Sequence, residues 1–435
     1  MADDRFDVVV VGAGPAGAAA ALTLARGGAD VIMLERGVTP GSKNVMGGVL
    51  YSKMLNDLVP GFWEEAPVER PIAEEHFWLT SKSNAVKIAY RGDRFTKEPY
   101  NAFSVLRAKF DPWFAKKAEE AGAMLITKTT VIDVIKEDGR VVGIRTDRED
   151  GDLYCEVVIA ADGAISWIAK KAGLQADKPF PPEHLVVGCK EVIELPEETI
   201  NERFNQEGNN GVSIDIFGDV LEGMAGFGFL YTNKDSISIG HGLLLSDLMK
   251  TRKKPYDVLD TIKRHPCIAP LIKGGEIKEY SGKTIPEGGY YAMPRLYDHG
   301  ILVAGDAGMM TNAAHGEGSN IAMEAGKLAG QAALHALEKK DNSRRTLRRY
   351  EKLLRKSFVM PDLYKSRHVA KFLSKHGDIM RVYPEIANVL METYITVDGN
   401  TKAHHQKMMF RETFRRRSPF KMVGDAWKMA RTFFL

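Results

Sequence analysis

Asp7-Val8-Val9-Val10-Val11-Gly12-Ala13-Gly14-Pro15-Ala16-Gly17 is the stretch on which the reading of the whole chain turns. Four successive β-branched residues suit a strand buried on both faces, and the alanine-rich run Ala18 to Ala25 predicts a helix lying close upon it. Between them Gly12 permits a tight turn, Gly14 lets backbone approach a pyrophosphate, and Gly17 lets helix and strand touch. The helix N-terminus then faces an anion. The glycine spacing alone is common and weakly informative. Its context makes it specific: a strand before, a helix after, then a second apolar run, Val31-Ile32-Met33-Leu34, ending in Glu35, where an acid meets a ribose hydroxyl. The expectation is a dinucleotide site in a Rossmann-like α/β lobe.

With 435 residues, 44% of them hydrophobic, the chain can bury a large core, and its length fits two or three lobes. Cys155, Cys189 and Cys267 lie far apart and form no CxxC, which supports neither a disulfide framework nor a cysteine-bound metal and favours a reducing compartment. Met1-Ala2-Asp3-Asp4 opens acidic and runs straight into the first strand, so no signal peptide is expected. No apolar run reaches spanning length. The formal charge of +3 hides an asymmetry: residues 401–435 carry nine Lys and Arg against Glu412 and Asp425, a local +7 that leaves −4 for the rest. Basicity confined to one end speaks of a surface partner.

After Glu35 and Arg36 comes Pro40-Gly41-Ser42-Lys43-Asn44-Val45-Met46-Gly47-Gly48, too rich in glycine for regular structure. Its amides could lie along a flavin, with Lys43 and Asn44 offering donors to the carbonyl edge; otherwise it is a long connector. Period-two alternation from Glu75 to Ala89 predicts a hairpin outside the nucleotide lobe. Arg107 opens an amphipathic helix through Phe110, Trp113 and Phe114, where it could pair with a cofactor phosphate or stay solvated. Short strands are expected at Ala123–Ile126, at Thr129–Val134, which contains Val131, and at Val141–Ile144. Val157 to Ala161 is a further buried strand ending in Asp162-Gly163, a plain turn or a cofactor contact.

Residues 185–290 contain short strands separated by Gly, Asn and Asp, the spacing of an antiparallel sheet with one face available to something other than the nucleotide lobe. Phe217, Met224, Phe227 and Phe229 are either its core or a ligand wall. Gly300 to Gly308 then gives a third strand closing on Gly305-Asp306, where the carboxylate can accept bonds from ribityl hydroxyls. His315-Gly316-Glu317-Gly318-Ser319-Asn320 opens a small-residue helix whose free amides can hold negative charge. Beyond 336 the chain reads helical, with a solvated charged face over 338–356. From Met408 on, apolar residues including Phe410, Phe420 and Trp427 interleave with arginine and lysine. That describes a surface-lying membrane segment or a docking helix, or a terminal helix packed on its own domain.

Three signatures thus occur in one order: Gly12-Ala13-Gly14-Pro15-Ala16-Gly17, Ala161-Asp162-Gly163 and Ala304-Gly305-Asp306. The combination resembles the large group of FAD proteins that includes aromatic hydroxylases, geranylgeranyl reductases and electron transfer flavoprotein–quinone oxidoreductases. Lys43 to Tyr51 and His315 to Asn320 look like the FixC branch of that group, and the resemblance runs over essentially the whole chain.

The resemblance implies an enzyme that takes electrons from a reduced two-subunit electron transfer flavoprotein and passes them through FAD to a membrane quinone, as one exit of an electron-bifurcating system. By motif match, Gly12, Gly14 and Gly17 hold the pyrophosphate, Glu35 the adenosine ribose, Arg107 a polar group of the cofactor and Asp306 the ribityl chain. Lys43, Asn44, Gly47 and Gly48 flank the isoalloxazine together with Gly316, Gly318, Ser319 and Asn320. Pro15, Ala16, Arg36, Val131, Asp162, Gly163 and Gly305 complete the expected contacts. No catalytic side chain and no metal are assigned, since the flavin carries the chemistry.

Longer relatives carry a C-terminal iron–sulfur module with four cysteine ligands; this tail has none, so the resemblance implies a separate ferredoxin-like subunit. The expected organisation is a discontinuous FAD-binding domain (1–73, 107–180, 291–340), an antiparallel-sheet quinone domain (74–106, 181–290) and a helical region (341–435). Its basic tail, 401–435, would hold the protein peripherally on the cytoplasmic face of the membrane. No nucleic-acid partner is expected. The rival readings are a geranylgeranyl reductase-like isoprenoid reductase and a non-catalytic FAD-binding scaffold.

Overall fold

The computed structural model describes residues 5–42, 47–176 and 178–433. The chain opens with β1 (Arg5–Val11), α1 (Pro15–Arg26) and β2 (Val31–Leu34). It crosses to a second sheet for β3 (Gly47–Tyr51), α2 (Ser52–Leu58), β4 (Val68–Thr80), β5 (Ala85–Arg91) and β6 (Ala102–Leu106). It returns with α3 (Arg107–Glu120), β7 (Met124–Ile126), β8 (Val131–Glu137), β9 (Arg140–Thr146), β10 (Asp152–Ala160) and α4 (Trp167–Ala172). A second excursion supplies β11 (Leu185–Glu194), α5 (Glu197–Phe204), β12 (Gly211–Gly218), β13 (Gly226–Thr232) and β14 (Ser236–Leu244). Helices α6 (Leu245–Thr251), α7 (Pro255–Arg264) and α8 (Ala269–Ile272) lead into β15 (Glu276–Pro286). The chain then comes back for β16 (Tyr297–Asp298), β17 (Ile301–Val303) and α9 (Ser319–Lys339).

The first sheet has the order β16-β17-β10-β1-β2-β7, parallel from β17 to β7, with the β8–β9 hairpin attached to β10. The valine run explains itself here. Val8 and Val10 point into a core shared with α1, α3 and α9, while Val9 and Val11 point into another with Ile168 and Ala169 of α4. Helices α1 and α9 cross so closely that a Cβ on Gly326 would lie 2.0 Å from the carbonyl oxygen of Ala16. Only glycine permits that approach.

The second sheet runs β15-β11-β14-β13-β12-β4-β6-β3, with β5 on β4. It is antiparallel apart from β12 and β4, which pair in parallel, a correction to the all-antiparallel expectation. The boundary expected between residues 73 and 74 falls inside β4, and β3 joins this sheet although its residues were allotted to the first lobe. One face is sealed by Ile214, Ile216, Leu230, Ile237 and Ile239 against Val258, Leu259 and Ile262 of α7. Arg70, wholly buried, fixes the bend of β4 by donating to the carbonyls of Asn233 (2.6 Å), Asn210 (3.0 Å) and Lys234 (3.1 Å) and to Oδ1 of Asn201 (2.5 Å).

Seven more helices follow: α10 (Arg344–Leu347), α11 (Arg349–Lys356), α12 (Val359–Lys365), α13 (Val369–His376), α14 (Ile379–Ile395), α15 (Lys402–Arg416) and α16 (Pro419–Phe433). The face of α10 and α11 is solvated as expected, yet Leu347, Tyr350 and Leu354 anchor it in the core under α9. Helix α14 lies on the second sheet, where Asn388 donates to the Leu79 carbonyl at 2.7 Å. Arg416 pairs with Glu385 and Arg417 with Asp378 and Asp425, pinning α15 and α16. Their outer face still exposes Phe410, Phe420, Val423 and Trp427, Phe420 at 91%. Among the described residues, no helix is long and apolar enough to cross a membrane.

Candidate functional site

The glycine turn between β1 and α1 is built by exclusion. Gly12 has φ +100, and a Cβ there would meet the Ala161 carbonyl oxygen at 2.4 Å; one on Gly17 would lie 1.8 Å from the Gly12 carbonyl oxygen. Gly14 differs, since the nearest atom to its Cβ position is Nη2 of Arg107 at 3.9 Å. The space above the turn is therefore roofed by a guanidinium. Helix α1 begins with Pro15 and Ala16, and no side chain among the described residues caps it, so its first amides stay available to an anion. At the end of β2, Glu35 accepts from the backbone N–H of Ala13 (3.2 Å) and of Gly37 (2.6 Å), which sets the acid against the turn; Arg36 beside it is exposed.

Arg107 is buried and held by Asp111, one turn on, through a two-pronged ion pair. The sequence left this residue between cofactor contact and solvent; the structure buries it facing the turn. Asp306 follows β17 and is partly buried: burial raises its pKa, while Lys283 and Arg107 oppose the rise. Lys283 comes from β15 of the other sheet. Burial lowers its pKa, Asp306 opposes that, and Arg107 and Arg36 add to it. The two lobes thus bring three cations to one locus.

Asp162 is brought to the same end of the sheet, yet both carboxylate oxygens are committed locally, one to the Ser166 hydroxyl (3.0 Å) and one to the Ile168 amide (3.0 Å). Gly163 beside it has open space at its Cβ position. Val131 points its side chain into the core behind the sheet, while the backbone just before it lies along β2, Thr129 donating to the Glu35 carbonyl at 3.0 Å. Gly47 and Gly48 pair with Leu106 and Val105, next to Arg107. Lys43 and Asn44 lie outside the described residues.

On the other side, Gly316 has φ +63 and its Cβ position is 3.8 Å from Cζ of Phe227. The loop is tied by Asn312 and Glu317, which exchange backbone bonds of 2.8 and 3.2 Å, and by the Thr311 hydroxyl donating to the Pro286 carbonyl. Gly318 precedes α9 without a side-chain cap among the described residues; Ser319 and Asn320 are buried, and Oδ1 of Asn320 has no partner there.

Facing that loop, β12 and β13 present every second residue: Asp215, Phe217, Phe227, Phe229 and Tyr231 are partly exposed while Ile216, Gly228 and Leu230 between them are sealed. The rings form a ladder, Phe217 to Phe227 and Phe227 to Phe229 at 6.4 Å and Phe229 to Tyr231 stacked at 4.9 Å. Met224 belongs to the sealed core instead. Burial, with Glu75 nearby, pushes Asp215 up to about 7. Burial also raises the Tyr51 hydroxyl, with Glu75, Glu317 and Asp215 adding to it. Lys283, Asp215 and Tyr231 carry no motif, and alternation along their strands was the only signal they offered; Tyr51 closes the Lys43 to Tyr51 segment, where it was given no role of its own.

These features fit an extended anionic dinucleotide with a flat ring: a cradle that a Cβ would fill, converging cations, two uncapped helix starts and the orphaned Oδ1 of Asn320. The chain matches the FAD dependent oxidoreductase family over residues 7–173 and the ETF-QO/FixC family C-terminal domain over residues 369–434. It is 43% identical to Protein FixC of Bradyrhizobium diazoefficiens over the whole of both chains. It is 44% identical to Protein FixC of Azotobacter vinelandii, covering 98% of this chain and 99% of that one.

Among solved structures it superposes on a geranylgeranyl bacteriochlorophyll reductase-like protein from Thermoplasma acidophilum with a TM-score of 0.73, at 20% identity, covering 95% of this chain and 97% of the other. A myxobacterial chondrochloren halogenase, described as FAD-dependent, gives 0.65 at 17% identity over 96% of this chain and 91% of the other. At such identities the likeness is one of fold.

Proposed function

Since the chain belongs to the FixC family of FAD-dependent oxidoreductases, we propose that it takes electrons from a reduced electron transfer flavoprotein and delivers them to a membrane quinone. The observation that carries this reading is the C-terminal match over 369–434, on helices that expose aromatic residues beside a local charge of +7. Apolar rings interleaved with lysine and arginine favour adsorption to an anionic lipid surface, on the cytoplasmic face. The full-length likeness to FixC proteins supports, as part of the same proposal, work beside a separate ferredoxin-like iron–sulfur subunit in an electron-bifurcating complex.

Gly12, Gly14, Pro15, Ala16 and Gly17 would cradle the FAD pyrophosphate beneath Arg107, with Glu35 at the adenosine ribose and Asp306 at the ribityl hydroxyls. Gly47, Gly48 and Gly316 to Asn320 would border the ring. When bound, FAD supplies an acceptor of one or two electrons, the property needed between single-electron carriers and a two-electron quinone. The chain's own part is to orient and to exclude water. The aromatic ladder offers a planar apolar wall to a quinone head, and Asp215 holds a proton close to neutral pH at its side.

Purified protein with its co-purifying partners should reduce a quinone analogue when given reduced electron transfer flavoprotein. Failure of that transfer in a FAD-loaded preparation would sink the reading. Isoprenoid double-bond reduction independent of any flavoprotein donor would replace it.

A further inference from the structure

The end of β15 enters the first lobe, and nothing in the cofactor signatures calls for it. The Pro286 carbonyl accepts from Thr311, and the Glu287 amide donates to the His184 carbonyl at 2.8 Å, so the strand end is fixed from both sides. Glu287 is thereby held inside the protein with its Oε2 sealed from solvent and without a hydrogen-bond partner among the described residues. A buried carboxyl oxygen left unmatched is rare and calls for a missing partner. The charged groups around it come from several elements: Asp306 from the turn after β17 acts on it directly, Lys283 lies on its own strand, Arg107 of α3 acts on both Asp306 and Lys283, and Asp111 of α3 and Arg36 act on Lys283. His184 packs against neighbouring Gly288.

We propose that Glu287 is part of the FAD site, donating its carboxyl proton as a hydrogen bond to the cofactor beside Asp306, with Lys283 adding positive charge to the same locus. The inference rests on the reading of Asp306 as a cofactor ligand and deepens it. Asp306, acceptor only when ionised, recognises hydroxyls; a neutral acid beside it recognises an oxygen or ring nitrogen. The sheet lobe then closes the cofactor site opposite the glycine turn. Burial, with the Asp306 charge adding, pushes Glu287 up to about 8, so the acid is neutral at pH 7 and loses its proton in mildly alkaline solution. Ionisation removes the donor and sets a second anion beside Asp306.

The test is the FAD dissociation constant of the deflavinated protein between pH 6.5 and 9.5, read by flavin fluorescence. Wild type should lose about tenfold in affinity between pH 7 and pH 9, because binding must first restore the proton. Glu287→Gln keeps a donor, cannot ionise, and should bind FAD with a flat profile. Lys283→Met should weaken binding at every pH while keeping the alkaline fall. A flat wild-type profile overturns the proposal without recourse to any variant, and so does an unchanged fall in Glu287→Gln. If natively folded wild type takes up no FAD at any pH, the cofactor reading fails and takes this proposal with it.

Discussion

The two ends of the candidate cofactor site are made by opposite means. At the glycine turn the site is defined by what cannot be there: a methyl group on Gly17 would sit 1.8 Å from a backbone oxygen, and one on Gly12 2.4 Å from another. At the sheet end it is defined by what is held there: a ladder of rings, Asp215 with its raised pKa, and the strand end carrying Lys283 and Glu287. The first end is rigid and readable by any chain that folds this way. The second end is adjustable, and it is where members of one fold can part in chemistry.

The contrast can be broken most severely at the turn. Gly17→Ala forces backbone apart between β1 and α1 and should cost about 3 kcal/mol, with loss of bound FAD, seen as a lower thermal midpoint and a colourless protein. At the sheet end the corresponding loss comes from Arg70→Met, which removes the donor from four oxygens, that of Asn233 in a buried bond and the other three in partly buried ones, and should cost on the order of 3 kcal/mol by denaturant unfolding. Any FAD retained would then mark the turn as the stronger half.

Asp215→Asn sharpens the contrast. The folded-state pKa of Asp215 is raised to about 7, so its protonated form favours folding. That contribution is full below the unfolded carboxylate range and is lost as pH climbs through 7. The variant should match wild type near pH 3 and exceed it by more than about 1 kcal/mol at pH 8. The pH step near 7 in acceptor reduction should vanish with it. Smallest is Trp427→Ser on exposed α16: stability should move by less than about 0.5 kcal/mol, while sedimentation with anionic vesicles falls severalfold.

Legibility followed the same division. Val8 to Val11 and the three glycines announced strand, turn and helix because each demand is local, a run of β-branched residues and a missing Cβ. The parallel pairing of β12 with β4 joins Gly211–Gly218 to residues 72–80, and no periodicity within either segment reports a partner so far away. Lys283 and Glu287 lay beyond reach for that reason; each becomes meaningful only through elements distant in sequence. The commitment of Asp162 to Ser166 and Ile168 was readable, being an aspartate followed at four residues by a serine at a helix start. The large apolar residues of 185–290 split between both readings, Met224 to the core and Phe217, Phe227 and Phe229 to the cleft.

The crossing of α9 on α1 carries a consequence for synthesis. The helix that seals the first lobe leaves the ribosome some three hundred residues after the strand it covers, since β1 begins at Arg5 and α9 at Ser319. Until then the alanine face of α1 has no lid, and the nascent polypeptide must shelter it by other means. A transcript cut short before Ser319 therefore yields a first lobe without its covering helix, a chain unable to mature.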